Sequence, residues 1–132
     1  FDDTMTHNIL LVDDDPDFRQ RAKQSLQDAG YRVTEAEGEK QAYEIAQNKK
    51  FDLAVVDLIL ENSDSGFSLS YRFKKDNPKM PIVMLSSSVS EFGIEFSLES
   101  VAARSWIKAD ILLNKPIRTE QLLQAVRRLL PQ

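Results

Sequence analysis

The chain has no cysteine, which excludes disulfides, thiolate zinc sites and thiol catalysis together. Its single histidine, His7, sits in the N-terminal tail with no metal-ligand cluster around it. No apolar run approaches the roughly 20 residues of a membrane-spanning helix, and no secretory pattern opens the sequence. Basic residues are not in excess. Seventeen Lys and Arg against 21 Asp and Glu leave a net charge of −4, which argues against a broad nucleic-acid-binding face. A cytoplasmic setting and no membrane contact are the expectations. With 42% hydrophobic residues in 132, there is apolar matter for one ordinary core. Residues 1–6 carry no periodicity and read as a disordered tail or expression remnant, with Met5 as the native start. No repeat or linker interrupts residues 7–132, so a single domain is expected there.

Ile9-Leu10-Leu11-Val12 is a short unbroken apolar run that stops at aspartates. Such runs suit strands buried on both faces, the habit of parallel sheets. Asp15-Pro16 reads as a helix N-cap followed by proline at the first helical position. Phe18, Ala22, Leu26 and Ala29 recur at helical spacing, and Gly30 is placed to end that helix. Residues 31–35 suit a second strand and residues 39–48 a second helix. Leu53-Ala54-Val55-Val56 is another buried run, stopping at Asp57. Phe67, Leu69, Tyr71 and Phe73 alternate with period two, but the βα rhythm requires a crossover helix there. Residues 81–85 and 111–113 read as the fourth and fifth strands, followed by a helix carrying Leu122, Leu123, Val126, Leu129 and Leu130.

Strands alternating with helices predict an α/β fold, doubly wound around a parallel sheet covered on both faces. Ligands of such open sheets bind beyond the carboxyl ends of the strands. Asp13-Asp14, Asp57, Ser86 and Lys115 end four strands and would converge on one rim. Hard oxygen ligands suit Mg²⁺, with Mn²⁺ as the substitute. Three aspartates bring −3, and a lysine with a divalent cation brings +3. A carboxylate kept ionised in this way can attack phosphorus, while a hydroxyl and an ammonium hold oxygens of the transferred group.

Four motifs, in order, carry a resemblance: Val12-Asp13-Asp14-Asp15-Pro16, Val55-Val56-Asp57-Leu58, Val83-Met84-Leu85-Ser86 and Asn114-Lys115-Pro116-Ile117. The chain resembles a bacterial response-regulator receiver domain, of the chemotaxis-regulator type, from about Asn8 to Leu130. The resemblance implies five strands in the flavodoxin-like order 2-1-3-4-5. It implies that Asp57 accepts a phosphoryl group from a histidine kinase, in a domain that is not a turnover enzyme. Asp14 would bind Mg²⁺ directly, Asp13 would assist, and Asp57 and the backbone carbonyl of Ile59 would complete the protein ligands. Ser86 and Lys115 would hold the phosphoryl group, and the bond before Pro116 would be cis. The partners implied are a sensor histidine kinase or phosphotransfer protein upstream and a downstream protein or output domain, with no direct nucleic-acid contact. The stop at Gln132 leaves two expectations open, a single-domain regulator or a receiver cut from a longer protein.

The plainer readings differ by residue. Asp15 is better read as a helix cap than as a metal ligand. A haloacid-dehalogenase-type phosphatase shares Asp13-x-Asp15 but needs a later acidic pair, and beyond Lys115 the only acid is Glu120. An EF-hand loop needs glycine where Phe18 stands and glutamate where Gln24 stands. The remaining rival is a degenerate receiver that binds partners without being phosphorylated.

Two departures from the family stand out. Leu112 occupies the position of the usual switch aromatic, so the ring is lacking. The stretch between Ser86 and Lys115 is several residues longer than usual, and a loop followed by a helix over residues 97–106 is expected there. Its Phe92, Phe96 and Trp106 would pack against the sheet or meet a partner. Ile59 and Ser88, two residues beyond the acceptor and the hydroxyl, are poorly suited to orient water, so slow loss of the phosphoryl group is expected.

Overall fold

The computed structural model of the chain describes residues 6–57, 65–86 and 110–130. Five parallel strands form one sheet: β1 (Asn8–Val12), β2 (Arg32–Ala36), β3 (Leu53–Asp57), β4 (Ile82–Ser86) and β5 (Ile111–Asn114). Their order is β2-β1-β3-β4-β5, as the resemblance implied. Four helices lie among the described residues: α1 (Pro16–Asp28), α2 (Glu39–Asn48), α3 (Ser65–Asp76) and α4 (Thr119–Leu129). The expected helix over residues 97–106 lies outside the described residues, as do Ile59, Ser88, Phe92, Phe96 and Trp106. None of the described helices is long and apolar enough to cross a membrane.

The unbroken apolar runs are buried on both faces because helices cover both. Ile9, Leu11, Leu53, Val55, Val83 and Leu85 pack against Phe18, Ala22 and Leu26 of α1 and Leu122, Ala125 and Val126 of α4. Leu10, Val12, Ala54, Val56 and Ile82 face the other way, onto Ala42 of α2 and Leu69 and Phe73 of α3. Burial of each Val, Leu, Ile or Phe side chain among these contributes about 1.5–3 kcal/mol, and each alanine less. The period-two pattern in α3 resolves at helical spacing. Leu69 and Phe73, four apart, are buried, whereas Tyr71 between them is 56% exposed.

Both ends of α1 are built from its sequence. Asp15 caps it, its side chain accepting from the Asp17 N–H at 3.0 Å, and Pro16 opens it. At the other end Gly30 adopts φ +100°, so the Gly30 and Tyr31 N–H groups reach the Gln27 and Leu26 carbonyls. That bond draws Tyr31 into the cap. β2 therefore begins at Arg32, one residue later than its apolar pattern predicts, and runs on to Ala36 beside Val12. Pro81 has no N–H and offers β3 only its carbonyl, at 3.1 Å from the Ala54 nitrogen; β4 starts at Ile82.

β5 is an edge strand clamped at both ends. Asp110 accepts from the Ile82 N–H and from Lys74 of α3, each at 2.8 Å. At the far end the Lys115 N–H donates to the Ser86 carbonyl at 2.6 Å. This register carries Lys115 to the carboxyl ends of β1 and β3.

Candidate functional site

Val12 pairs with Val56, so one step further Asp13 and Asp57 arrive at the rim together. Asp13 is fully buried and each of its polar groups is committed. Its Oδ1 accepts from the Asp15 N–H at 2.9 Å, and its Oδ2 lies 3.0 Å from Lys115 Nζ. Its backbone N–H donates to Ala36, and its carbonyl accepts from Arg19 Nη1 at 2.7 Å. Asp57 is also buried, with its Oδ2 3.1 Å from the same ammonium. Asp14 stands exposed at the mouth. One carboxylate oxygen from each of Asp13, Asp14 and Asp57 lies within 4.8 Å of the others.

Lys115 is the cation that this cluster holds. Burial pulls its pKa down, but the charge of Asp57 and the hydrogen bond and charge of Asp13 outweigh that and raise it. Its peptide bond to Pro116 is cis. Ser86, last residue of β4, is buried on the same rim. Leu112 pairs with Met84 within β5, and no ring stands there. Asp13, Asp14, Asp57, Ser86 and Lys115 are therefore brought to one end of the sheet, while Asp15 is turned away as a cap.

Two neighbours of the site are not singled out by the sequence reading. Phe18 reads there only as a core position, yet Lys115 Nζ lies 4.9 Å from its ring centroid. Arg19, besides gripping the Asp13 carbonyl, pairs with Glu35 at 3.1 Å, and Lys23 pairs with the same carboxylate at 3.1 Å. Glu37 lies 3.6 Å from the other end of the guanidinium. The signal was present: Arg19 and Lys23 are four apart on a helix, and Glu35 and Glu37 two apart on a strand. What the spacing does not give is which side chains of α1 and β2 face each other.

Burial alone would raise the Glu35 pKa, but hydrogen bonds from Lys23 and Arg19 and their charges lower it. A depressed carboxyl pKa contributes stability above the unfolded value of about 4.3 and loses it as pH falls through the folded one. The stability difference between the parent and Glu35→Gln is therefore expected to shrink between pH 6 and pH 3. Urea midpoints across that range check it, and a constant difference refutes it.

The donor set suits a hard divalent cation. Octahedral Mg²⁺ ligands at about 2.1 Å lie roughly 3 Å apart in cis and 4.2 Å apart in trans. A carboxylate set within 4.8 Å approaches that span, and the exposed Asp14 is free of the packing that fixes the other two. Three carboxylates around one ammonium also leave an excess of negative charge for a cation to offset.

A parallel sheet whose strand ends gather acids, a hydroxyl and a lysine defines a doubly wound α/β domain with a polar site at its carboxyl rim. The chain matches the response regulator receiver domain family over residues 9–127 and belongs to it. It is 32% identical over 124 residues to the phosphate regulon transcriptional regulatory protein PhoB of Pseudomonas aeruginosa, covering 92% of this chain and 51% of that one. Against the transcriptional regulatory protein PhoP of Escherichia coli it is 30% identical over 122 residues, again covering 92% and 51%. The chain thus spans about half the length of the curated relatives it matches. Among solved structures, the chemotaxis response regulator CheY4 of Vibrio cholerae superposes with a TM-score of 0.81 at 30% identity, covering 96% of this chain and 100% of that one. A receiver domain protein of Methanospirillum hungatei gives 0.78 at 28% identity, covering 93% and 92%. The domain is one of phosphorylation-dependent signalling in two-component systems.

Proposed function

We propose that Asp57 is the phosphoacceptor of this receiver and takes its phosphoryl group from a phosphohistidine. The observation that carries this reading is the junction of buried Asp57 and Asp13 on one ammonium, at 3.1 and 3.0 Å, with Asp14 open beside them. An oxygen of Asp57 attacks phosphorus, forming an O–P bond while the N–P bond breaks. The electron pair stays on the imidazole of the donor. Asp14 and Asp57 would hold Mg²⁺ with Asp13 assisting, and the Ile59 carbonyl, outside the described residues, is the further ligand that the family resemblance implies. Mg²⁺, when bound, offsets the carboxylate charge and binds phosphoryl oxygens. Once Asp57 is phosphorylated, Lys115 turns from it to a phosphoryl oxygen, and the Ser86 hydroxyl donates to another.

On this reading the chain assists its own modification and turns over no external substrate. Its upstream partner is a sensor histidine kinase or phosphotransfer protein in the cytoplasm. Downstream it addresses a protein or output domain, and the domain itself contacts no nucleic acid. PhoB and PhoP are transcriptional regulators about twice as long as this chain, which makes a joined output domain the natural downstream element.

Incubation with Mg²⁺ and acetyl phosphate tests the reading. Intact mass is expected to rise by one phosphoryl group, the gain requiring Mg²⁺ and being removed by hydroxylamine, as an acyl phosphate requires. A chain that stays unmodified at saturating donor is instead a degenerate receiver acting through binding alone.

A further inference from the structure

Lys115 touches three side chains at the rim, and one of them is not an acid. Asp13 and Asp57 accept from its ammonium at 3.0 and 3.1 Å, while the ammonium also lies over the Phe18 ring, 4.9 Å from the centroid. Phe18 is 4% exposed, and the Cζ of Arg21 lies 5.8 Å from the same centroid. We infer that Phe18 is a positioning residue for Lys115, its ring face forming the third wall that holds the ammonium for the phosphoryl group on Asp57. The inference rests on the reading of Asp57 as acceptor.

The chemistry follows from the ammonium's three N–H groups. Two are directed to carboxylates; the remaining side needs either water or an electron-rich surface. The face of an aromatic ring carries negative potential and attracts a cation within about 6 Å, without competing for its hydrogen bonds. Phosphorylation of Asp57 removes one carboxylate charge and adds a dianionic group further out on the rim. The ammonium then has to shift while staying out of bulk water, and the ring gives it a wall to move along. An aliphatic side chain of equal volume would fill the same space in the core with Leu26 and Val55 but would offer no such attraction.

The role separates from simple packing by replacing the quadrupole while keeping the shape. Phe18 is replaced by pentafluorophenylalanine, and separately by leucine, in the full chain. Two quantities are read: the proton shift of the Lys115 ε-methylene by NMR without metal, and the rate of phosphorylation by acetyl phosphate with Mg²⁺. The parent is expected to show upfield-shifted ε-methylene protons, and Phe18→Leu to lose that shift. Both variants are expected to be phosphorylated about two- to fivefold more slowly. In a Lys115→Ala background the Phe18 changes should have no further effect. Unshifted Lys115 protons in the parent, a pentafluoro variant at full rate, or equal slowing without Lys115 would each overturn the inference. A failed acceptor assignment looks different: the parent gains no phosphoryl mass, while the Lys115 resonances still report the ring contact.

Discussion

An Asp57→Asn chain is expected to gain no phosphoryl mass and, in metal-free buffer, to be more stable than its parent by about 1 kcal/mol. The first effect is chemical, since an amide oxygen is no nucleophile towards phosphorus at neutral pH. The second comes from the charge count. Asp57 is attracted to Lys115 at 3.1 Å, worth about 5 kcal/mol at an effective dielectric of 20. An Asp13 oxygen within 4.8 Å opposes that by at least roughly 3.5 kcal/mol on the same scale, and Asp14 adds a screened repulsion. Among the described residues, the remainder is smaller than the several kcal/mol that burying a carboxylate costs, and Asp57 is 2% exposed.

Asparagine keeps the shape and still accepts from Lys115, which then forms a matched pair with Asp13. Mg²⁺ at about ten times its dissociation constant should stabilise the parent by about 1.4 kcal/mol, and the variant by less. Intact mass and urea unfolding with and without Mg²⁺ check both halves. A labelled variant refutes the acceptor assignment. A less stable variant shows that Asp57 serves first as a structural partner of Lys115.

The parts of this arrangement legible in the sequence are those that local pattern determines. Ile9–Val12 and Leu53–Val56 could be read as doubly buried strands because each is apolar at every position, and both are fully buried. The limits of α1 followed from Asp15-Pro16 and Gly30, which supply a side-chain cap and a positive φ. α2 occupies the expected residues, Glu39–Asn48. The rim residues were legible because each terminates a strand, and a parallel sheet puts all such ends on one side. Strand order was not derivable from periodicity and came from the resemblance, which the sheet bears out.

Contacts between elements are another matter. Nothing in the spacing of Phe18 and Lys115 says that they meet, because β1 and β5 come to one rim only through β3 and β4. The grip of Arg19 on the Asp13 carbonyl is invisible for a different reason: backbone acceptors carry no sequence signal. In α3 the βα rhythm outweighed a period-two alternation that arises because Leu69, Tyr71 and Phe73 are all large, while of these only the pair four apart is buried.

Lys115→Ala is expected to cost about 3 kcal/mol in metal-free buffer, the largest stability loss of any single change at the rim. Among the described residues the lysine is the cation within hydrogen-bond reach of both Asp13 and Asp57, and its removal takes the shared counter-charge from two buried carboxylates. It also removes the alkyl stem that carries the ammonium beneath Phe18. Mg²⁺ should recover much of the loss, because it brings positive charge to the same oxygens. Phosphorylation should nevertheless remain impaired, since the metal cannot replace the ammonium on the phosphoryl group. A double variant, Asp57→Asn with Lys115→Ala, should be more stable than Lys115→Ala alone, the excess charge having been removed. The pH dependence has a definite sign. The raised Lys115 pKa means that its contribution is fully present below about 10.4 and is lost as pH rises through the higher folded value. The parent should therefore lose stability in strong alkali by a step that Lys115→Ala lacks. Thermal unfolding of the four chains, with and without Mg²⁺ at pH 7 and without it from pH 7 to 11, measures all of this. If Lys115→Ala matches its parent and Mg²⁺ stabilises both equally, the ammonium is not the counter-cation of the cluster.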